Sequence, residues 1–217
     1  MDRVSVPAGF IQAHTRLVRP PLVPEIALHL SDDVAGLWQA MEDFGGGAGD
    51  ASPFWAAAWP GGQVLARHVL DHPATVAGRR VLDLGAGSGL VALAAVRAGA
   101  GSVLASDVDP YAHAAMAANA AANGVALGER GIEVVGDVLD AERPDVEVVL
   151  AGDVFYDATM AARVLPWLFT AWARGARVLI GDPGRSQLPD GLREVATYDV
   201  PDSGVDAARR TAVWRLP

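Results

Sequence analysis

The residues with the clearest chemical potential lie in the segment VLDLGAGSGL, residues 81–90. Three glycines follow Asp83 at alternate positions: Gly85, Gly87 and Gly89. Glycines at a strand-to-helix turn let a ligand approach the backbone closely. Asp107 ends the next apolar run, where an acid can accept hydrogen bonds from both hydroxyls of a ribose. The pattern therefore indicates a nucleoside-binding site.

The residue at the sixth position of this motif narrows the choice of nucleoside. A nicotinamide dinucleotide site has a glycine there, whereas this chain has Leu90. The spacing for a pyrophosphate is therefore missing, and the pattern fits a nucleoside without phosphates, such as S-adenosylmethionine. The sulfonium and amino groups of that ligand also favour acidic surroundings. The alternative is a tight turn between strand and helix that binds no ligand.

Further acids end other apolar runs. Asp137, beside a backbone N–H, can read the amino group and a ring nitrogen of adenine, and the alternative is a solvated loop acid. Asp153 closes the next run, with Tyr156 just after it; the alternatives are a helix cap and a core aromatic. Asp182 and Arg185 follow a fifth run, where a purely structural turn is equally compatible.

Strand and helix patterns alternate from residue 80 onwards. The predicted strands are 80–85, 102–107, 132–137, 146–153 and 177–183, followed by an antiparallel pair at 196–200 and 209–217. Such alternation is typical of a parallel sheet that is covered on both faces by helices. Ligands of these sheets bind outside the carboxyl ends of the strands, where all the acids named above would lie.

The remaining elements surround this core. Helices are expected at 31–44 with Ser31 or Asp32 as N-cap, at 60–72, and near 188–195. The run GGGAGD at 45–50 is expected to be a flexible loop. We expect one domain over residues 1–217, with an N-terminal helical extension at 1–60 and an α/β core at 61–217.

Composition excludes several kinds of chemistry. Seventeen basic and 26 acidic residues give a net charge of −9, which disfavours nucleic acid as a partner. The chain has no cysteine and no lysine, so disulfides, a cysteine nucleophile and a Schiff-base lysine are all excluded. The five histidines are scattered without metal-ligand spacing, and we expect no metal.

Several strings, taken in order, resemble a known family. PFWAAAWPGGQVLAR, VLDLGAGSG, ASDVDP, GDVFYD and LIGDPGR follow the lead-in FIQAHT…PEIALHL. Together they resemble the seven-strand lysine methyltransferases that modify the β subunit of electron transfer flavoprotein. The resemblance covers residues 10–216. Its most distinctive pieces are W-P-G-G-Q, D-x-F-Y-D and G-D-P-G-R, whereas the glycine motif alone is typical of class I methyltransferases in general.

The resemblance implies a Rossmann-like, seven-stranded, mostly parallel sheet with one antiparallel strand and helices on both faces, and S-adenosylmethionine as methyl donor. The residues that would hold the donor are Trp59, Asp83, Gly85, Ala86, Gly87, Gly89, Asp107, Val108, Asp137 and Val138. Asp107 would bind its ribose, and Asp137 with Val138 its adenine. Trp59, beside the Gly61–Gly62 turn, would cover it.

The same resemblance places Asp153 and Tyr156 at the target-lysine end of the site, where they would orient the amine. The implied partner is a protein with exposed lysines, the flavoprotein β subunit. Three alternatives stay open: a small-molecule N-methyltransferase acting on a nicotinamide-like pyridine, a ribosomal-protein methyltransferase, and a catalytically silent protein-binding domain. No membrane span or targeting segment is evident, so we expect a cytoplasmic protein with residues 1–24 part of the fold. We expect a monomer because no surplus apolar helix remains.

Overall fold

The computed structural model describes residues 6, 8–45, 52–141, 143–201 and 208–217. Within these ranges the α-helices are α1 (Ala8–His14), α2 (Val34–Gly45), α3 (Pro60–Asp71), α4 (Leu90–Arg97), α5 (Pro110–Ala122) and α6 (Ala158–Ala173). The strands are β1 (Arg16–Val18), β2 (Leu28–Leu30), β3 (Arg80–Leu84), β4 (Ser102–Ser106), β5 (Ile132–Val135), β6 (Val148–Gly152), β7 (Arg177–Asp182), β8 (Arg193–Pro201) and β9 (Ala208–Arg215). No helix in these ranges is both long and apolar enough to cross a membrane.

The main sheet has seven strands in the order β5-β4-β3-β6-β7-β9-β8. Neighbouring strands from β5 to β7 pair in parallel. The last strand, β9, lies between β7 and β8 and is antiparallel to both. The predicted α/β class and the single antiparallel strand near one edge are therefore confirmed.

Both faces of the sheet are covered because successive residues of each strand point to opposite faces and both sets of residues are apolar. Val81, Val148 and Leu150 pack into a core that contains residues of α3, α4 and α5. Leu82 and Val149, one position along, pack into a second core with residues of α6. Strands that are buried on both faces appear in the sequence as continuous apolar runs, and for this reason the sequence predicts them.

The N-terminal extension is fastened to the core through α5. It contains α1, the antiparallel hairpin β1–β2, which was not predicted, and α2. The buried Asn119 side chain accepts a hydrogen bond from the His29 N–H at 2.7 Å and donates one to the Ser88 carbonyl at 2.8 Å. Asn123 makes two hydrogen bonds with the backbone of Ala27. The hairpin is thus connected through Asn119 to the glycine loop of the core.

Two local predictions were wrong, and one lies outside the described residues. There is no helix near 188–195, because the chain turns at Gly191, which has a positive φ of 82°, and then enters β8. The N-cap of α2 is neither Ser31 nor Asp32 but Asp33, whose Oδ1 accepts the Gly36 N–H at 2.9 Å. The loop expected at 45–50 lies, beyond Gly45, outside the described residues.

Candidate active site

The glycine loop connects β3 to α4 at the carboxyl edge of the sheet. Gly85, Gly87 and Gly89 have positive φ angles of 69°, 51° and 78°, a region that L side chains rarely adopt. A Cβ on Gly89 would also lie 2.9 Å from Cγ of Met116. The loop therefore requires glycine for its own conformation.

Asp83 lies beneath this loop and is 1% exposed. Its Oδ2 accepts the Ala92 N–H at 2.9 Å, and its side chain lines a cavity above the glycine loop. Burial raises the pKa of Asp83 to about 7; the Ala92 N–H opposes that change, and the charge of Asp107 adds to it. A buried carboxyl of this kind becomes ionised readily when a cation is placed beside it.

Asp107 directly follows β4 and holds the glycine loop in place. Its Oδ2 accepts the Gly87 N–H at 2.8 Å and its Oδ1 accepts the Asp109 N–H at 3.0 Å. Each carboxylate oxygen keeps a further lone pair for a hydroxyl donor. Val108, the next residue, is 59% exposed.

Asp137 and Val138 lie further along the same edge, after β5, and they face α6. Asp137 accepts hydrogen bonds from Arg163 at 2.8 Å and from the Leu139 N–H at 2.9 Å. Burial would raise the pKa of Asp137, but Arg163 and the Leu139 N–H more than offset this, so the pKa is lowered. Val138 is buried, and its carbonyl accepts the Trp167 indole N–H at 3.0 Å. Neither residue lines the cavity above the glycine loop.

That cavity is covered by the segment before α3. Its lining is formed by Phe54, Ala57, Ala58, Trp59, Gly62, Asp83, Gly85, Ala86, Gly87, Ser88, Leu90, Val91, Gly152 and Asp153. The Trp59 indole N–H donates to the Phe54 carbonyl at 2.8 Å, which fixes the ring at the cavity wall. Gly61 packs directly on the sheet, since a Cβ there would overlap the Gly181 carbonyl oxygen.

Asp153, at the end of β6, is held from three directions. Its Oδ2 accepts the Gly62 N–H at 2.8 Å, its Oδ1 accepts Arg185 Nη1 at 2.7 Å, and its own N–H donates to the Gly181 carbonyl. Gly62 is in the first turn of α3, so Asp153 caps that helix rather than α6. Asp157 caps α6 by accepting the Met160 N–H.

One arginine, Arg185, bridges two buried acidic side chains, Asp153 and Asp182. Burial raises the pKa of the Asp153 carboxyl, while the charge and hydrogen bond of Arg185 and the Gly62 N–H act in the opposite direction. Arg185 also contacts Asp182, whose side chain is fully buried, at 2.9 Å. Arg185 therefore bridges the two buried carboxyl groups of Asp153 and Asp182 at the carboxyl edge of the sheet. Asp153 has φ of 59°, which is uncommon outside glycine.

The structure gathers around one cavity half of the twelve residues that the resemblance assigns to the site. Five of them line the cavity with Asp153, namely Trp59, Asp83, Gly85, Ala86 and Gly87. Tyr156 is 46% exposed and reaches this group through Phe54, at 5.4 Å between ring centroids. Phe54 was missed by sequence reasoning, although its place beside Trp55 in the segment PFW was a usable signal. No group of His, Asp or Glu side chains arranged to hold a metal occurs among the described residues.

A larger depression lies at the opposite, amino edge of the sheet. Arg79, Glu147, Trp172 and Arg177 line part of it. Ligands of open α/β sheets bind at the carboxyl edge, and the glycine loop and the acids described above are all at that edge. The cavity above the glycine loop is therefore the candidate active site.

Comparison with known proteins shows that the chain is similar to methyltransferases. A family model described as ribosomal protein L11 methyltransferase (PrmA) matches residues 65–154. The electron transfer flavoprotein β subunit lysine methyltransferase of Danio rerio is 38% identical over 217 residues, covering 95% of this chain and 82% of that protein. The Homo sapiens protein of the same name is 37% identical over 202 residues, covering 90% of this chain and 75% of that protein.

Solved structures show the same fold. A methyltransferase structure from Pyrococcus horikoshii superimposes with a TM-score of 0.56 at 16% identity, over 85% of this chain and 98% of that one. The ribosomal protein L11 methylase of Lactobacillus delbrueckii subsp. bulgaricus gives 0.51 at 24% identity, over 72% and 79%.

The strand order, the glycine loop and the acids at the carboxyl edge define a class I methyltransferase. The match to the Danio rerio protein runs through the N-terminal extension as well as the core, because it covers 95% of the chain. The chain belongs to the family of electron transfer flavoprotein β-subunit lysine methyltransferases.

Proposed function

We propose that this enzyme transfers the methyl group of S-adenosylmethionine to lysine side chains of a protein, and that this protein is the β subunit of electron transfer flavoprotein. The observation that carries the proposal is that the glycine loop and Asp153 line the same cavity. One cavity is lined by the glycine loop on one side and by Asp153 on the other, and exposed aromatic rings lie at its mouth. The family relationship supports this choice of substrate.

The residues present fit the donor. The glycine loop lines the cavity through Gly85 and Gly87, Asp107 keeps lone pairs for the ribose hydroxyls, and Asp83 is a buried carboxyl that a cation would ionise. When bound, S-adenosylmethionine supplies an electrophilic methyl group. We propose that Ala86 and Trp59 contact it, that Val108 lies beside its ribose, and that Asp137 with Val138 borders its adenine.

The acceptor amine must be neutral and aligned at the moment of methyl transfer. Free lysine has a pKa near 10.4, so its deprotonation at pH 7.4 costs about 4 kcal/mol. Alignment of the reacting groups can lower a barrier by about 7–11 kcal/mol. We assign alignment to Asp153 and Tyr156, because the hydrogen bonds from Gly62 and Arg185 fix the Asp153 carboxylate beside the cavity.

We further propose that residues 1–60 act as extension and lid of a single domain whose core is 61–217. Two features support this division. The Asn119 side chain joins β2 to the glycine loop, and the segment before α3 covers the cavity.

The proposal is tested with tritiated S-adenosylmethionine and purified electron transfer flavoprotein, with ribosomal protein L11 and nicotinamide as competing acceptors. We expect label in the flavoprotein β subunit, on lysines located by mass spectrometry. Asp153→Asn should lower turnover by at least 100-fold while donor affinity changes little, and Asp190→Asn, at an exposed turn position, is the matched control. Label confined to L11 or nicotinamide would refute the substrate.

A second result would refute the assignment of Asp153. If Asp153→Asn keeps its turnover at saturating donor and loses donor affinity instead, the carboxylate belongs to the donor site. Donor affinity is measured by calorimetry, so the two effects are separated.

A further inference from the structure

Three neighbouring aromatic side chains are partly exposed beside the cavity: Phe54 and Trp59 line it, and Tyr156 contacts Phe54. Phe54 is 47% exposed, Trp59 is 40% exposed and Tyr156 is 46% exposed. They are contiguous, because the Phe54 ring lies 5.8 Å from Trp59, edge to face, and 5.4 Å from Tyr156. We call these three residues the aromatic cluster.

The backbone, rather than apolar packing, holds Phe54 in this position. Its short 3-10 helix, Phe54–Ala56, buries Trp55 and Ala56 almost completely and leaves the Phe54 ring outside. The Phe54 carbonyl accepts the Trp59 indole N–H at 2.8 Å, which fixes the two rings relative to each other. The cluster is therefore built and ordered, although its rings face solvent and the cavity.

Acidic side chains lie near the cluster. The pKa of the Tyr156 hydroxyl is raised by burial and by the charges of Asp157 and Asp107, and Arg163 opposes this change. The buried carboxyl groups of Asp153 and Asp182, bridged by Arg185, lie at the same edge of the sheet. Aromatic faces attract cations, and they do so most effectively when the cation is weakly hydrated, as methylated ammonium ions are. Ring faces and acidic groups together fit a cationic ligand.

We propose that the aromatic cluster binds the side chain of the target lysine, with Phe54 as a specificity-determining residue. The cluster holds lysines that already carry one or two methyl groups more tightly than unmodified lysine. Retention of these partly methylated side chains favours addition of further methyl groups to the same residue. The inference rests on the proposed lysine methylation, and it assigns the acceptor side of that site to residues outside the glycine loop.

The first test measures binding without turnover. The probes are N-acetyl-trimethyllysine methylamide and its neutral tert-butyl carbon analogue, titrated by NMR in the presence of S-adenosylhomocysteine. We expect the wild-type protein to prefer the cation by about 2- to 30-fold, and Phe54→Ala to remove most of this preference. Equal affinity for cation and neutral analogue would overturn the proposal.

The second test measures product distribution. Phe54→Ala should raise the KM for the protein acceptor and shift its products toward monomethyl-lysine, while Phe54→Tyr should retain the wild-type pattern. The matched control is Phe169→Ala, because Phe169 is 41% exposed and pairs edge to face with Trp172 on α6. Phe54→Ala also keeps the carbonyl that Trp59 requires.

The outcomes separate this inference from the proposed function. If the flavoprotein β subunit is labelled but Phe54→Ala changes neither KM nor product distribution, the cluster proposal fails alone. If Phe54→Ala weakens donor affinity and leaves acceptor KM unchanged, the ring belongs to the donor pocket and the proposal also fails. If the flavoprotein is not labelled at all, the proposed substrate fails, and the cation preference in the binding test decides the cluster proposal by itself.

Discussion

Replacing Asp83 by asparagine should make the protein more stable and its donor binding weaker. The carboxyl is fully buried, and burial raises its pKa from 3.8 to about 7. At 1.36 kcal/mol per pKa unit, ionised Asp83 costs about 4 kcal/mol of folding free energy at pH 8. Asparagine carries no charge and still offers an oxygen to the Ala92 N–H. We expect a gain of about 2–4 kcal/mol at pH 8, since burial of the amide has its own cost.

The sign of the pH dependence follows from the raised pKa. The native protein holds the Asp83 proton up to about pH 7, whereas the unfolded chain loses it near pH 4. The contribution of this group to stability is therefore fully present below pH 4, decreases as the pH rises, and is lost above about pH 7. The asparagine variant lacks this decrease, so its advantage over the wild-type protein grows between pH 5 and pH 8.

Urea unfolding between pH 5 and pH 8.5 measures the stability difference, with the exposed Asp190→Asn as control. Calorimetry measures the affinity for S-adenosylmethionine, which should fall about 10- to 150-fold when a charged hydrogen-bond partner is lost. Wild-type affinity should also increase from pH 6 to pH 8 as Asp83 ionises. The reasoning is refuted if the variant is no more stable than wild type at pH 8, or if both proteins show the same pH dependence.

Four further substitutions, one of them a control, test contacts around the site. Gly61→Ala should destabilise the protein and lower activity because its Cβ would overlap the Gly181 carbonyl. Gly62→Ala is the control and should be tolerated, because the nearest neighbour of its Cβ is 3.9 Å away. Equal losses of stability in unfolding assays would contradict this packing. Asn119→Ala should cost about 1–3 kcal/mol in urea unfolding, since it removes the hydrogen bonds joining β2 to the glycine loop. Trp59→Ala should weaken donor affinity about 3- to 30-fold, and unchanged calorimetric affinity would rule out its covering role.

Local patterns in the sequence were enough to predict the core. The continuous apolar strands, the helices between them and the glycine turn after β3 depend on interactions close along the chain or on burial of whole runs. The same patterns located Asp83 and Asp107, because the end of a predicted parallel strand specifies an edge of the sheet. The segment at 188–195 was predicted wrongly because Gly191 and pairing with β9 override its helical pattern.

Contacts between distant segments were decided by the tertiary structure alone. Asp153 caps α3 across 91 residues and pairs with Arg185 across 32 residues. Asp137, predicted to bind adenine, is paired with Arg163 of α6, and the ring of Phe54 lies beside Tyr156. The sequence determined which residues end each strand. Which partner each side chain finds depends on how helices and loops pack over the sheet edge, and no local pattern encodes that packing.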